Sequence, residues 1–323
     1  MSPVHGIHHV TAIAGDPREN LHFYTEVLGL RLVKRSVNQD APDTYHLFYA
    51  DAEGHPGTDL TFFPWPSMGA GRTGTGLAVE VGFAVPEGSL AFWEERLESM
   101  RVGPAIAASR FGERVLAFPD VHGLALSLTE TAESSELAEA GEFTPWQESP
   151  VPESHQIRGF HSVRLWERDL ATTGRFLTEA LGFERAGEED GWHRFGVGGG
   201  GSGRWVEVRE LPGGRLGQWG TGAIHHVAFR VADDAEQLAV RKQILAAGSQ
   251  ATPVIDRFWF QSVYFREPGG ALFELATDGP GFSVDEDPAH LGEQLILPPW
   301  LEPHRDEIEA ALPPLPSPHT AGR

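Results

Sequence analysis

The sequence contains no cysteine among its 323 residues. Disulfide bonds, thiolate metal sites and cysteine nucleophiles are therefore excluded. A protein-bound metal would have to use histidine, aspartate or glutamate, and the chain has 15 histidines and 46 acidic residues.

Basic residues are also few: 25 Lys and Arg against 46 Asp and Glu give a formal net charge of −21. Nucleic acids and anionic membrane surfaces are bound by basic patches, so neither is expected as a partner. No apolar run reaches the roughly 18 residues of a membrane span. The chain passes from Met1 directly into an apolar, histidine-containing stretch without the pattern of a signal peptide. We expect a cytoplasmic protein.

Glycine (38) and proline (24) are frequent, which is typical of short strands joined by turns. An internal repeat with the order βαβββ occurs four times, at residues 6–65, at residues 76–130, from Gly159 and from Gly222. The predicted class is α+β with four such modules. We divide the chain into an N-terminal domain of two modules (1–131), a linker (132–156), a C-terminal domain of two modules (157–278) and a C-terminal extension (279–323). The extension is either a lid or a surface segment.

Two strand-like stretches carry the same His-His-Val motif, at 8–10 and at 225–227. Aligned on the valine, the second residue of the pair in the four modules is His9, Glu80, Ser162 and His226. Aligned on the last turn, the closing strand gives Phe62, Ser127 and Glu274 in the first, second and fourth modules. The third module has no clean match, and Glu207 is its nearest carboxylate.

The first and last modules thus supply two histidines and one carboxylate, so we predict a metal site of His9, His226 and Glu274. Two imidazoles and one carboxylate are typical of non-haem Fe(II) sites that leave positions open for O2 and a substrate. Ten histidines outside the two motifs are interpreted as core or surface residues: His5, His22, His46, His55, His122, His155, His193, His290, His304 and His319. His161 aligns with the first histidine of the motif and receives no ligand role.

At these residues the chain resembles the vicinal oxygen chelate superfamily, which has the glyoxalase/bleomycin resistance/extradiol dioxygenase fold. It is most similar to the ring-cleaving branch that opens hydroquinones, of the dichlorohydroquinone dioxygenase type. The matching stretches are 6–13, 30–35, 45–51, 56–58, 109–112, 158–162 and 281–287. The resemblance implies Fe(II), with Mn(II) as an alternative, together with O2 and an aromatic diol that is cleaved beside a hydroxyl-bearing carbon.

The resemblance also implies positions around the metal: His8, Thr11, His225, Arg257 and Tyr264. Arg257 and Tyr264 would bind substrate and stabilise developing negative charge. On a regular strand Thr11 shares the face of His9, and its expected role is substrate binding. His8 and His225 would point away from the metal. An acid–base role for these two requires a twist or bulge in the strand.

Two other classes stay open. The same scaffold hosts glyoxalase-type isomerases and transferases, which generally use two glutamates; Phe62 stands where the second would be useful. A protein that only sequesters an aromatic compound would need no metal. The ring substituents, the choice between para- and ortho-diols and the oligomeric state, including a homo-oligomer, are not determined by the sequence.

Overall fold

The computed structural model describes residues 4–132 and 142–316. The first module contains β1 (Ile7–Ala14), α1 (Pro17–His22), a π-helical turn (Phe23–Val27), β2 (Arg31–Asn38), β3 (Ala41–Ala50) and β4 (Asp59–Pro64). Asp16 caps α1 by accepting hydrogen bonds from the backbone of Arg18 and Glu19. The second module contains β5 (Leu77–Pro86), α2 (Leu90–Ser99), β6 (Ile106–Arg110), β7 (Glu113–Pro119) and β8 (Ala125–Thr131).

The second half of the chain repeats this order. The third module contains β9 (Phe160–Glu167), α3 (Leu170–Ala180), β10 (Glu184–Glu189), β11 (Trp192–Gly196) and β12 (Trp205–Glu210). The fourth contains β13 (Ile224–Val231), α4 (Asp234–Ala246), β14 (Ile255–Asp256), β15 (Gln261–Arg266) and β16 (Leu272–Thr277), and α5 (Arg305–Ala311) follows in the extension. Among the described residues, no helix is both long and apolar enough to span a membrane.

The strands form two eight-stranded curved sheets, each built from modules of both sequence halves. The first has the order β14-β15-β16-β13-β1-β4-β3-β2, and the second β10-β11-β12-β9-β5-β8-β7-β6. Antiparallel pairing of β1 with β13 and of β5 with β9 joins the modules in the middle of each sheet. The α+β prediction with four modules in two domains is confirmed. Each sheet crosses the boundary placed at 131–157, so the division into 1–131 and 157–278 stays a prediction, and linker residues 133–141 lie outside the described part.

Sheet register corrects one sequence alignment. Val10 pairs with Leu60 on β4, and the equivalent Val227 pairs with Phe273 on β16. Thr61, and not Phe62, therefore occupies the position of Glu274. The turn alignment failed because the fourth module has one more residue than the first between its turn glycine and its closing strand.

The sheet register also identifies the residue of the third module that is equivalent to Glu274. The valine of this module, Val163, pairs with Val206 on β12. The next residue along β12, Glu207, is therefore the structural equivalent of Glu274.

The C-terminal extension packs along the edge strand β2. Lys34 on β2 is fully buried, and its Nζ donates to the Phe282 carbonyl oxygen (3.1 Å), to Asp285 (2.7 Å) and to Glu286. The Ile296 amide donates to the carbonyl oxygen of Arg35 at 2.9 Å. The extension thus covers strand groups that would otherwise be free to pair with another chain. Its residues 317–323 lie outside the described part.

Two buried glutamates meet where β9 approaches the β15–β16 turn. Glu167 is 0% exposed and Glu267 2%. Glu267 accepts hydrogen bonds from the Thr173 hydroxyl (2.9 Å) and the Ala271 amide (3.0 Å). Burial, and then the charge of Glu267, raise the pKa of Glu167 well above its ordinary value. Glu167 therefore holds a proton that the unfolded chain releases near pH 4.3 (roughly the free value).

We expect this proton to make stability depend on pH. A raised folded-state pKa stabilises the fold at low pH, and that stabilisation is lost as the pH rises above the unfolded value, by up to about 1.4 kcal/mol per pH unit. Glu167→Gln should remove the dependence and stabilise the protein increasingly towards alkaline pH, as measured by urea unfolding across this range. Glu267→Gln is the matched control, which should weaken the pH dependence without removing it, because it takes away the charge that adds to burial in raising the pKa of Glu167. Parallel pH curves for Glu167→Gln and wild type would contradict the assignment.

Candidate metal centre

Three predicted side chains converge on the concave face of the first sheet. His9 on β1, His226 on β13 and Glu274 on β16 are 2%, 4% and 0% exposed. The Nε2 atoms of the two histidines are 3.3 Å apart. Glu274 Oε2 lies 2.9 Å from His226 Nε2 and 3.3 Å from His9 Nε2. Within 4–132 and 142–316, this is the one group of three or more such side chains close enough to hold a metal ion.

The carboxylate of Glu274 has one bonded and one free oxygen. Oε1 accepts a hydrogen bond from the Ser262 hydroxyl at 2.5 Å, whereas the buried Oε2 has no geometrically satisfactory hydrogen bond in the described chain. Burial by itself would raise the pKa of Glu274, but the adjacent His9 and His226 rings lower it well below its ordinary value. An ionised, orphaned oxygen facing two imidazole nitrogens fits a divalent metal ion.

His8 sets the tautomer of His9. His8 Nε2 donates to the carbonyl oxygen of Thr277 at 3.1 Å, which leaves its Nδ1 as an acceptor 3.0 Å from His9 Nδ1. His9 then carries its proton on Nδ1 and presents the Nε2 lone pair to the centre. Burial, and then His9, lower the pKa of His8 to about 3, so it is neutral at pH 7.

His225 makes the equivalent ring contact with His226. Their Nδ1 atoms are 2.8 Å apart, and the His225 ring stacks on Trp219 with centroids 4.3 Å apart. Burial, and then His226, lower the pKa of His225 to about 3. The β1–β13 register shifts around both His8 and His225, so the strand irregularity that an acid–base role requires is present at both positions. These two residues contact the ligand rings and do not line the adjacent cavity.

A cavity adjoins the centre, with aromatic walls and a polar mouth. It is lined by His9, Asn38, Gln39, Asp40, His46, Phe48, Phe63, His226, Arg257, Trp259, Phe260 and Tyr264. Phe260 lies against His9, with ring centroids 5.2 Å apart. Such walls suit a flat, apolar ring.

Arg257 and Tyr264 both line this cavity. The Tyr264 ring lies edge-on to His226 with centroids 5.7 Å apart. Burial, and then Glu274, raise the pKa of Tyr264, so it is a neutral hydroxyl donor. Arg257 is bound by Asp40 through contacts of 2.8 and 3.3 Å, which the sequence did not suggest. Its charge is therefore already paired at the mouth of the cavity.

Thr11 does not line the cavity. Its hydroxyl is 2.7 Å from that of Thr61, which in turn is 2.9 Å from His46 Nε2. His46 and Asp40 are among the lining residues that sequence reasoning missed. No motif distinguishes them, because they lie on the β2–β3 hairpin, and strand alternation alone does not show that this hairpin curls over the metal centre.

The equivalent place in the second sheet is filled by ion pairs. Glu80 and Glu207 stand at the positions of His9 and Glu274. Arg164 Nε lies 2.7 Å from Glu207 and 4.0 Å from Glu80. Arg194 Nη2 contacts Glu207 at 2.7 Å and Glu113 at 2.8 Å. Guanidinium groups thus neutralise this pair of carboxylates.

Comparison with known proteins agrees with this architecture. The model of the Glyoxalase/Bleomycin resistance protein/Dioxygenase superfamily matches residues 6–133 and 159–275. A crystal structure of a “putative dioxygenase” from Bacillus subtilis is 43% identical, with a TM-score of 0.90 and 98% and 99% of the two chains covered. Glyoxalase I from Zea mays, at 15% identity and a TM-score of 0.59, covers 84% of this chain and 92% of its own and shares the fold.

Two curated relatives span nearly the whole chain. “Putative ring-cleaving dioxygenase MhqO” of Bacillus subtilis is 44% identical over 96% of each chain. “Chlorohydroquinone/hydroquinone 1,2-dioxygenase” of Sphingobium indicum is 33% identical over 94% of this chain and 95% of its own.

The fold is that of the glyoxalase type, with paired βαβββ modules in each sheet. The chain belongs to the Glyoxalase/Bleomycin resistance protein/Dioxygenase superfamily, among its ring-cleaving dioxygenases.

Proposed function

We propose that the protein is an Fe(II)-dependent ring-cleaving dioxygenase that acts on a hydroquinone or related aromatic diol, with O2 inserted beside a hydroxyl-bearing carbon. The observation that carries the proposal is the convergence of two imidazole Nε2 atoms and the orphaned Glu274 oxygen beside an aromatic cavity. His9, His226 and Glu274 would hold the metal. Fe(II) bound there would bring the substrate oxygen and O2 together on its open positions. Mn(II) fits the same ligands.

The remaining residues would orient and protect the reactants. His8 and His225 would hold the ligand rings in the metal-binding tautomer by accepting a hydrogen bond from the Nδ1 of each ligand, as groups behind the ligands do in other histidine metal sites. Tyr264 would donate a hydrogen bond to the substrate oxygen at the centre as negative charge develops there. Arg257, with Asp40, would close the mouth, and the aromatic walls would exclude water. A glyoxalase-type isomerase would need a second glutamate in the first module, at the position equivalent to Glu274. Thr61 occupies that position.

Oxygen uptake tests this function. Protein loaded with Fe(II) or Mn(II) should consume one O2 per hydroquinone or catechol and form a ring-opened acid. The hemithioacetal of methylglyoxal and glutathione, offered to the same samples, tests the isomerase alternative. Absence of O2 uptake with every diol, in protein that retains its metal, would reject the proposal.

The role of His225 gives a separate prediction. His225→Phe keeps an aromatic ring against Trp219 but removes the acceptor for His226 Nδ1, so metal affinity should fall about 10–100-fold. Competition with a chromophoric chelator measures it. His161→Phe is the matched control, because His161 is the equivalent residue of the third module and lies in the second sheet. Unchanged affinity in His225→Phe, or an equal fall in both variants, would contradict the role.

A further inference from the structure

The C-terminal extension contributes two side chains to an apolar cluster behind the metal cavity. This cluster is separate from the main core, and its buried members are Val33, Phe48, Ala50, Ala228, Trp259, Phe260, Ala276, Phe282 and Leu291. Phe48, Trp259 and Phe260 also line the cavity, whereas Phe282 and Leu291 belong to the extension. The rings of Phe282 and Phe48 have their centroids 5.2 Å apart. The extension therefore packs directly against the wall of the cavity.

Trp259 in that wall is bound by the extension at two points. Its indole Nε1 donates to Asp285 Oδ2 at 3.1 Å, and its carbonyl oxygen accepts from the amide of Gly281 at 2.9 Å. Trp259 is 1% exposed. Loss of the Asp285 carboxylate would leave a buried N–H without an acceptor, which costs more than the hydrogen bond itself contributes. The position of the indole ring therefore depends on Asp285.

Asp285 is itself held by Lys34 of β2. The fully buried Nζ of Lys34 donates to Asp285 Oδ1 at 2.7 Å and also to Glu286. The same Nζ lies 5.3 Å from the centroid of the Trp259 ring, where a cation is attracted to the ring face. One oxygen of Asp285 thus contacts the lysine and the other contacts the indole. Glu286 shares the lysine, but the single indole N–H is bonded to Asp285.

The first sheet has space on this face that the second sheet fills with ion pairs. Arg164 is the register partner of Glu207 in the second sheet. The register partner of Glu274 in the first sheet is Ala228, so a methyl group replaces a guanidinium side chain. Ala228 belongs to the apolar cluster. The cluster, with its two side chains from the extension, therefore takes the place of the buried charges.

We propose that the C-terminal extension is a fixed wall of the metal cavity and that Asp285 is the positioning residue for Trp259. The extension is then neither a lid nor a surface segment, because its buried contacts complete the site in the closed fold. This role rests on the proposed function, since the wall would contact the aromatic substrate. It should affect binding of a diol more than retention of the metal, whose three ligands lie on strands.

Fluorine NMR of protein labelled with fluorotryptophan and loaded with Co(II) tests this role without a substrate. Trp259→Phe assigns the Trp259 signal, whose paramagnetic shift depends on the position of the ring relative to the metal. Asp285→Leu should move or split this signal. Asp285→Asn, which keeps an acceptor oxygen, should leave it in place. Glu286→Met is the matched control, because it removes the other carboxylate that contacts Lys34 and should also leave the signal in place.

An unmoved Trp259 signal in Asp285→Leu, or equal displacement in Asp285→Leu and Glu286→Met, would overturn the proposal. Anaerobic titration of the metal-loaded protein with catechol gives a second measurement. Asp285→Leu should weaken binding about 3–10-fold, the contribution of one aromatic contact. In a Trp259→Phe background the same change should have less than about a twofold effect, because the two residues act together. An equal loss in both backgrounds would also overturn the proposal.

Failure of the proposed function gives a different result. In that case wild-type protein consumes no O2 with any diol, while the Trp259 signal still responds to Asp285→Leu and not to Glu286→Met. The positioning role of Asp285 then stands without the ring-cleaving activity.

Discussion

Replacing Glu274 by glutamine is expected to abolish metal retention while leaving the fold intact. Glutamine has the shape of glutamate, and its carbonyl oxygen can still accept the hydrogen bond from Ser262. The negative charge between His9 and His226 is lost, and an amide is a far weaker ligand for a divalent ion. Because changes outside the ligand set already cost 10–100-fold in affinity, loss of a ligand should cost at least about 100-fold. Ring cleavage should fall in proportion.

Metal analysis of protein dialysed against a weak chelator measures this effect, and circular dichroism checks the fold. Glu207→Gln is the matched control, because it makes the same substitution at the equivalent position of the second sheet. There the carboxylate contacts Arg164 and Arg194. Its folded fraction should retain the metal content of wild type. Wild-type metal content in Glu274→Gln would remove Glu274 from the site.

The second large effect is expected on stability, at Arg164. This side chain is 7% exposed, pairs with Glu207 at 2.7 Å and lies over the Trp192 ring at 4.1 Å. Arg164→Met keeps a long apolar side chain, but Glu80 and Glu207 lose one of the cations that contact them. Breaking a buried pair in this way costs about 3–5 kcal/mol of unfolding free energy.

Urea unfolding measures the loss, and two further variants interpret it. Adding Glu207→Met to Arg164→Met should recover little of the loss, because the buried Arg194, which contacts Glu207 at 2.7 Å, then loses a partner of its own. Arg114→Met removes a cation that is 70% exposed from Glu130, whose 7% exposed carboxylate keeps the hydrogen bond from the Leu90 amide at 2.9 Å, and should cost less than about 1 kcal/mol. Equal effects of Arg164→Met and Arg114→Met would show that the cluster does not stabilise the sheet.

The sequence could single out the three side chains that converge in the structure because the fourfold repeat made them comparable within one chain. His9 and His226 stand out against Glu80 and Ser162 at equivalent positions, and this comparison needs only strand periodicity. Glu274 followed from its place on the closing strand. The βαβββ order was likewise readable from apolar patterns, caps and turn glycines.

What the sequence could not supply depends on register and on packing between modules. Thr61 was missed because the turns before the closing strands differ by one residue. The pairing of Arg257 with Asp40 joins the fourth module to the first, and no local pattern predicts it. The cavity position of His46 depends on the curvature of the sheet. The pairing of the first module with the last is likewise invisible to local propensity.

The pairing of β1 with β13 has a consequence for synthesis of the chain. The two strands form neighbours in the middle of one sheet, yet Thr11 and its partner His226 are 215 residues apart (226 minus 11). At about 5–20 residues per second, β13 is made roughly 10–45 s after β1. Throughout that time the newly made β1 has an open, apolar edge that can pair with another nascent chain. Folding yield should therefore depend on temperature, translation speed and chaperone supply more than the stability of the finished protein suggests.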